Sequence, residues 1–255
     1  RQIAIRAYCA QLTHIDHQIG KILYYIQRHD HTKNTIVMFT SDHGDLLGDH
    51  GTWRKIFPYE GSSKIPMIVR TPDTMIQTAN TTMGYRTDET PVTHMDIMPT
   101  LLKAAGATVP SNVEGIDFIG PLYGNPIMGR EFIHGEHTAG ETICSQFVTD
   151  GKIKYCYDTF HGREQLFDLR KDPNELKNLA YLPEYKDILS LWKNRLIKIL
   201  EKRPQDGLVL NGKLAVGISP SPIRKELLEG IMPEELHPNA LRSVRNYFGE
   251  DFFDR

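Results

Sequence analysis

A switch of hydrophobic period near the start of the chain constrains the fold most. Tyr8, Leu12, Ile15, Ile19, Ile22 and Ile26 are spaced 4, 3, 4, 3 and 4, the stripe of an amphipathic helix over about Gln2 to Arg28. The polar connection His29-Asp30-His31-Thr32-Lys33-Asn34 follows, and then Ile36-Val37-Met38-Phe39 reads as a buried strand. A long helix, a short loop and a β-branched strand make half of a βαβ unit, which predicts an α/β fold. The strand runs out into Thr40-Ser41-Asp42-His43-Gly44-Asp45-Leu46-Leu47-Gly48-Asp49-His50-Gly51. In an open α/β sheet, ligands gather outside the carboxyl ends of the strands. Asp42 and His43 form a plausible pair of metal ligands there, and Gly44 lets the backbone turn close to an ion. Lys55 stands twelve residues after His43, in Trp53-Arg54-Lys55-Ile56-Phe57-Pro58-Tyr59-Glu60-Gly61-Ser62. A metal and a lysine together are a receptor for a tetrahedral oxyanion. Asp-His-Gly alone is also an ordinary turn, so its context has to decide.

The rest of the chain alternates helical and extended patterns. Ile65-Pro66-Met67-Ile68-Val69-Arg70 reads as a strand with Pro66 near its start, and residues 71–90 read as a Thr-rich loop with weak strand character. Met95, Met98, Leu101, Leu102 and Ala105 line one face of a second helix, with Pro99 in its first turn and Gly106 as its terminator. Asp96, at its entry beside His94, reads as a capping carboxylate. From Pro121 the texture changes to short extended runs, Glu131–His134, Cys144–Asp150 and Ile153–Tyr157, the last two joined by an Asp150-Gly151-Lys152 hairpin signal. Leu189, Trp192, Leu196 and Leu200 mark a helix that Pro204 ends. Beyond it, Ile223–Ile231 and Leu236–Tyr247 read as short helices in a tail.

Composition excludes some partners. The formal net charge is −2 and there is no basic stripe, so no nucleic acid is expected. No apolar run approaches the roughly 18 residues of a membrane span. Cys9, Cys144 and Cys156 lack zinc-like or redox spacing and are expected to be free thiols. No signal-peptide pattern is read, and the chain opens on Arg1 inside a helical pattern, which leaves the compartment, periplasmic or cytoplasmic, open.

Taken in order, Thr-Ser-Asp-His-Gly, Leu-Gly-Asp-His-Gly, Trp-x-Lys, Tyr-Glu-Gly-Ser and Ile-Pro-Met-Ile-Val closely resemble the type I sulfatases of the alkaline phosphatase superfamily. Thr93-His94-Met95-Asp96-Ile97 with Pro99-Thr100-Leu101, and Leu166-Phe167-Asp168-Leu169 leading into Asp172-Pro173-Asn174-Glu175, extend the resemblance over about residues 8–200. It implies that Asp42 and His43 bind a divalent cation, calcium or magnesium, and that Lys55 contacts the sulfate. It implies part of a large mixed sheet flanked by helices over 1–124, a small antiparallel sheet with a packed C-terminal helix over 125–204, and a tail or wrapping segment over 205–255.

In that family the nucleophile is a formylglycine made within a Cys/Ser-x-Pro/Ala-x-Arg motif, and none of the cysteines or serines here fits it. The chain is therefore expected to be the C-terminal portion of such an enzyme, inactive alone, whose partners are a sulfate ester and the missing N-terminal half. His137, or Glu136 beside it, is a candidate substrate contact or proton carrier. His50 is expected to hydrogen-bond within its loop, His161 to be structural, and Tyr59 and Glu60 to anchor their loop. Arg54 reads equally as an anion contact or a surface charge. A phosphonate or phosphodiester hydrolase of the same superfamily, or a non-catalytic remnant serving as a binding module, are the alternatives.

Overall fold

The computed structural model describes residues 1–72, 89–118, 120, 130–139 and 143–218. Helix α1 (Gln2–Arg28) covers the expected span, yet none of its residues is buried. Tyr8, Ile19 and Ile26 of its stripe are part-covered, while Leu12, Ile15 and Ile22 are about half exposed or more. Strands β1 (Val37–Thr40) and β2 (Met67–Arg70) pair antiparallel, Val37 opposite Arg70 and Thr40 opposite Met67. β1 was expected to be buried and is not: Phe39 is 40 % exposed, because a two-stranded ribbon offers too little neighbouring surface to enclose a strand. Between the two strands lies a four-residue helix, α2 (Glu60–Ser63).

Helix α3 (Ile97–Ala104) follows a 3-10 turn over His94–Asp96. Its burial runs opposite to the apolar pattern. Met95, Met98 and Leu101 are exposed, whereas Asp96, Pro99 and Thr100 are buried. The carboxylate of Asp96 is the centre of the covered side. It accepts the Thr93 N–H at 2.7 Å and the Ile116 N–H at 2.9 Å, and it pairs with the Arg130 guanidinium. The capping role read for Asp96 is thus one part of a buried network.

The largest sheet among the described residues has four antiparallel strands in chain order: β3 (Ile133–Ala139), β4 (Ile143–Thr149), β5 (Ile153–Asp158) and β6 (Arg163–Asp168). β3 lies further along than the extended run read at Glu131–His134, and so carries Glu136 and His137 on the strand itself. The Asp150-Gly151-Lys152 turn closes as read. Gly151 adopts φ +81°, and Asp150 Oδ1 accepts the N–H groups of Lys152 and Ile153. Helix α4 (Lys186–Leu200) lays Trp192, Leu196 and Leu200 against Val148, Tyr155, Tyr157 and Leu166. Its spacing of four residues puts the three on one face.

Residues 205–218, the start of the segment read as a tail or wrapping segment, pack on this same core. Strands β7 (Val209–Leu210) and β8 (Lys213–Leu214) form a hairpin, and Leu208 and Leu214 are buried with α4. The Tyr157 hydroxyl donates to Ala215 O at 2.9 Å. The proposed helices at 223–231 and 236–247, the loop character of most of 71–90 and the boundary at 124 lie outside the described residues.

Directly opposed residues in an antiparallel ladder share a face. Gly135, His137, Phe147, Lys154, Cys156 and Phe167 therefore lie on the side of the sheet away from α4. Tyr59 packs on that side, against the cluster of Cys156, Phe167 and Leu169. The sheet is thus held between α4 and the segment running from Asp42 to Ser63. No described helix is long and apolar enough to cross a membrane.

Candidate functional site

The loop after β1 is folded by its own polar side chains. Ser41 Oγ donates to His43 O at 2.7 Å, and Asp42 Oδ1 accepts the His43 N–H at 2.9 Å. His94, from the turn before α3, reaches back 53 residues and places Nε2 2.7 Å from Ser41 O. A carbonyl only accepts, so that nitrogen carries the proton. Gly44 is required by space: a Cβ there would sit 2.1 Å from Gly61 O. Its N–H donates to Ser62 O at 2.8 Å.

Asp42 and His43 face each other with the electronics of a ligand pair. His43 Nδ1 lies 2.7 Å from Gly44 O, which assigns the proton to Nδ1 and leaves a lone pair on Nε2. That nitrogen lies 3.3 Å from Asp42 Oδ2. Two lone-pair atoms at that separation are matched by a cation between them or beside them. A backbone carbonyl orienting the second nitrogen of a ligating histidine is the usual outer-shell arrangement. The Asp42 side chain is 81 % exposed, and its carboxyl is held below the ordinary range, first by the His43 N–H and further by the Lys55 charge. These two residues fit a divalent cation as part of a larger shell, since calcium takes about six to eight oxygen-rich ligands. Among the described residues no group of three or more His, Cys, Asp or Glu is arranged to hold a metal.

The next residues bring Lys55 back to this pair. Leu46 N–H donates to Arg54 O at 2.9 Å, and Asp45 Oδ1 accepts both the Leu47 N–H at 2.8 Å and the Arg54 N–H at 3.1 Å. Leu46 is buried beneath this closure. The loop therefore doubles back, and Lys55 emerges beside the start of its own turn. Its charge acts on Asp42 and also on His137 of β3. His137 is half-buried; burial, and then the Lys55 charge, lower its pKa below the ordinary histidine value. Asp42 and His137, 95 residues apart in the sequence, thus both feel the charge of Lys55.

Other candidates take different roles. The carboxylate of Glu136 is clamped by Arg203 through two hydrogen bonds of 2.8 and 2.7 Å, on the opposite face of β3 from His137. That pair, above all else, depresses its pKa, and it removes Glu136 as a proton carrier. His50 stacks on Tyr59, ring centroids 3.8 Å apart, in place of the expected hydrogen bond. Its backbone φ of +53° aims the ring at Tyr59, away from the polar groups of the loop. His161 bonds Asp158 Oδ2 at 2.7 Å within a turn, as a structural residue does. Arg54 contributes its backbone to the loop closure at φ +67°. Tyr59 accepts a hydrogen bond from Gln165 Nε2 at 3.0 Å, and Glu60 pairs with Lys154, so both anchor the loop to the sheet.

Comparison with known proteins places this geometry. Residues 3–107 match the family described as Sulfatase. An arylsulfatase of Clostridium perfringens is 38 % identical over 218 residues, which cover 86 % of this chain and 44 % of that protein. A choline-sulfatase of Rhizobium meliloti is 31 % identical over 70 % of this chain and 33 % of its own length. Among solved structures, a phosphonate monoester hydrolase of Agrobacterium radiobacter superposes with a TM-score of 0.60 at 25 % identity, over 75 % of this chain and 39 % of its own. The chain therefore spans less than half the length of the curated relatives it matches.

Proposed function

The chain belongs to the sulfatase family of the alkaline phosphatase superfamily, and from that premise we propose that the protein carrying it hydrolyses sulfate monoesters. One observation supports the reading: the loop that pairs Asp42 with His43 closes Arg54 back onto Asp45 and Leu46, so that Lys55 leaves it beside its start.

In this reading Asp42 and His43 hold a divalent cation, calcium before magnesium. When bound, the cation stabilises negative charge gathering on the sulfate oxygens. Lys55 supplies a fixed ammonium to a nonbridging oxygen and adds to that stabilisation without any change of protonation. His94 and Ser41 hold the backbone of the loop so that the Asp42 carboxylate keeps its aim. His137, whose pKa burial and then the Lys55 charge lower, orients the ester through a hydrogen bond or aids proton transfer. The formylglycine nucleophile comes from residues outside this chain, since none of its cysteines or serines stands in the motif that forms it. The alcohol half of the substrate is set by loops outside the described residues.

A phosphonate monoesterase is the second reading, favoured by the likeness to the Agrobacterium radiobacter phosphonate monoester hydrolase. Turnover of 4-nitrophenyl sulfate and of an aryl phosphonate ester, with calcium, by the full-length protein and by this chain separates the possibilities. Preference for sulfate by the full-length protein, with no turnover by this chain, is the expected result. A preference for phosphonate, or turnover by this chain alone, overturns the reading.

A further inference from the structure

Lys154 is the second residue of β5 and has no exposed side-chain surface. Lysine is almost never fully buried unless it is paired. Its Nζ stands 3.0 Å from Glu60 Oε1, 3.0 Å from Ser63 Oγ and 3.1 Å from Glu175 Oε1, with the Phe147 ring centroid at 5.3 Å. The ammonium donates to Glu60 Oε1 and Ser63 Oγ and forms an ion pair with Glu175. Two of the three belong to α2, at its first and last residues. Glu175 adds a second hold, because its Oε2 accepts the Glu60 N–H at 2.5 Å. The sheet thus grips α2 at both ends. An apolar contact of the same size would join sheet and helix about as stably, but without fixing direction.

What α2 carries is the candidate site. Ser62 O takes the Gly44 N–H, Gly61 O fills the space a Gly44 side chain would need, and Gly44 O orients the His43 ring. On the other side, Lys55 stands five residues before Glu60. We infer that Lys154 is a positioning residue: through α2 it fixes the Gly44 peptide, and with it the aim of His43 and the return of Lys55. The inference rests on the reading of Asp42, His43 and Lys55 as the site. It makes the small sheet a working part of the catalytic geometry, coupled to it through one buried cation.

The test is hydrogen exchange read by mass spectrometry on the full-length protein, comparing wild type with Lys154→Met. Peptides covering residues 42–48 report the link, and peptides covering 190–200 of α4 report global stability. Exchange over 42–48 is expected to rise about tenfold or more with α4 protection unchanged, and kcat/KM on 4-nitrophenyl sulfate to fall about 10- to 100-fold. Should Lys154→Met lose α4 protection as well, Glu175→Gln carries the same test. It preserves shape and an acceptor for the Glu60 N–H while weakening the grip on Lys154. Unchanged exchange over 42–48 in a variant that keeps α4 protected overturns the inference, and so does an unchanged kcat/KM. Raised local exchange in a protein that does not hydrolyse sulfate esters upholds the mechanical link and sinks the sulfatase reading instead.

Discussion

Asp96→Asn tests the logic of the buried network that sets α3 and, through His94, the loop of Asp42. Asp96 is fully buried and serves the Thr93 N–H, the Ile116 N–H and the Arg130 guanidinium at once. Asparagine has the same outline but one acceptor oxygen and an NH2 group. The oxygen can keep one backbone N–H; the NH2 group then meets the other donor or the guanidinium. The Arg130 side chain is only 12 % exposed, so its charge stays inside the protein without a counter-charge. Breaking a buried pair by removing one partner costs about 3–5 kcal/mol. An orphaned backbone N–H adds about 1 kcal/mol. Residual water contact at Arg130 favours the low end of the first figure, giving a loss of about 4 kcal/mol. Denaturant unfolding of the full-length protein measures it as a fall in midpoint at constant slope. Adding Arg130→Met should then recover part of the loss, since it removes the stranded cation. A cost for Asp96→Asn below about 1 kcal/mol, or a further loss on adding Arg130→Met, would refute the reasoning.

Other changes probe separate parts of the molecule. Leu196→Ala removes a fully buried side chain from the contact between α4 and the sheet, and should cost about 2–5 kcal/mol in the same unfolding assay. Gly44→Ala drives a methyl group into Gly61 O. It should abolish sulfate ester turnover while the far-ultraviolet spectrum contributed by the small sheet and α4 is retained. Burial lowers the pKa of His134 below its ordinary 6.5 despite its 2.8 Å hydrogen bond to Gln146. On acidification the unfolded chain therefore takes up that proton first. The contribution of His134 is complete above about pH 6.5 and is lost as pH falls toward the depressed value. Unfolding free energies measured from about pH 7.5 down to 5 should show this slope, and His134→Gln should flatten it.

Local pattern carried the parts of this structure that local forces decide. The spacing of Tyr8 to Ile26 marked α1, Asp-Gly marked the turn between β4 and β5, and Leu189 to Leu200 marked α4. Asp-His-Gly with the later Trp-x-Lys pointed at the loop where the candidate residues gather. Long-range partners decided the remainder. A lysine inside Ile153–Tyr157 looks like a solvent-facing strand residue until Glu60, 94 residues away, and Glu175 enclose it. Glu136 looked free for chemistry because Arg203, its clamp, is 67 residues distant. The second helix was read from its apolar face, whereas the side covered among the described residues carries Asp96, whose buried carboxylate needs the distant Ile116 N–H and Arg130. The hairpin of β7 and β8 has only two residues in each strand, too short to leave a period of its own.

The hydrogen bond from the Glu60 N–H to Glu175 spans 115 residues, and so it has a consequence in time. On a ribosome adding about 5–20 residues per second, Glu60 waits roughly 6 to 23 s for Glu175 to be made. Until then the Glu60 N–H lacks this acceptor, although Lys154, made 21 residues earlier, can already hold α2 at Glu60 and Ser63. The four-stranded meander needs only neighbouring strands to pair, contacts that form early once its residues emerge. The last anchor of the loop that carries Asp42 and His43 is therefore set after the sheet behind it has been made.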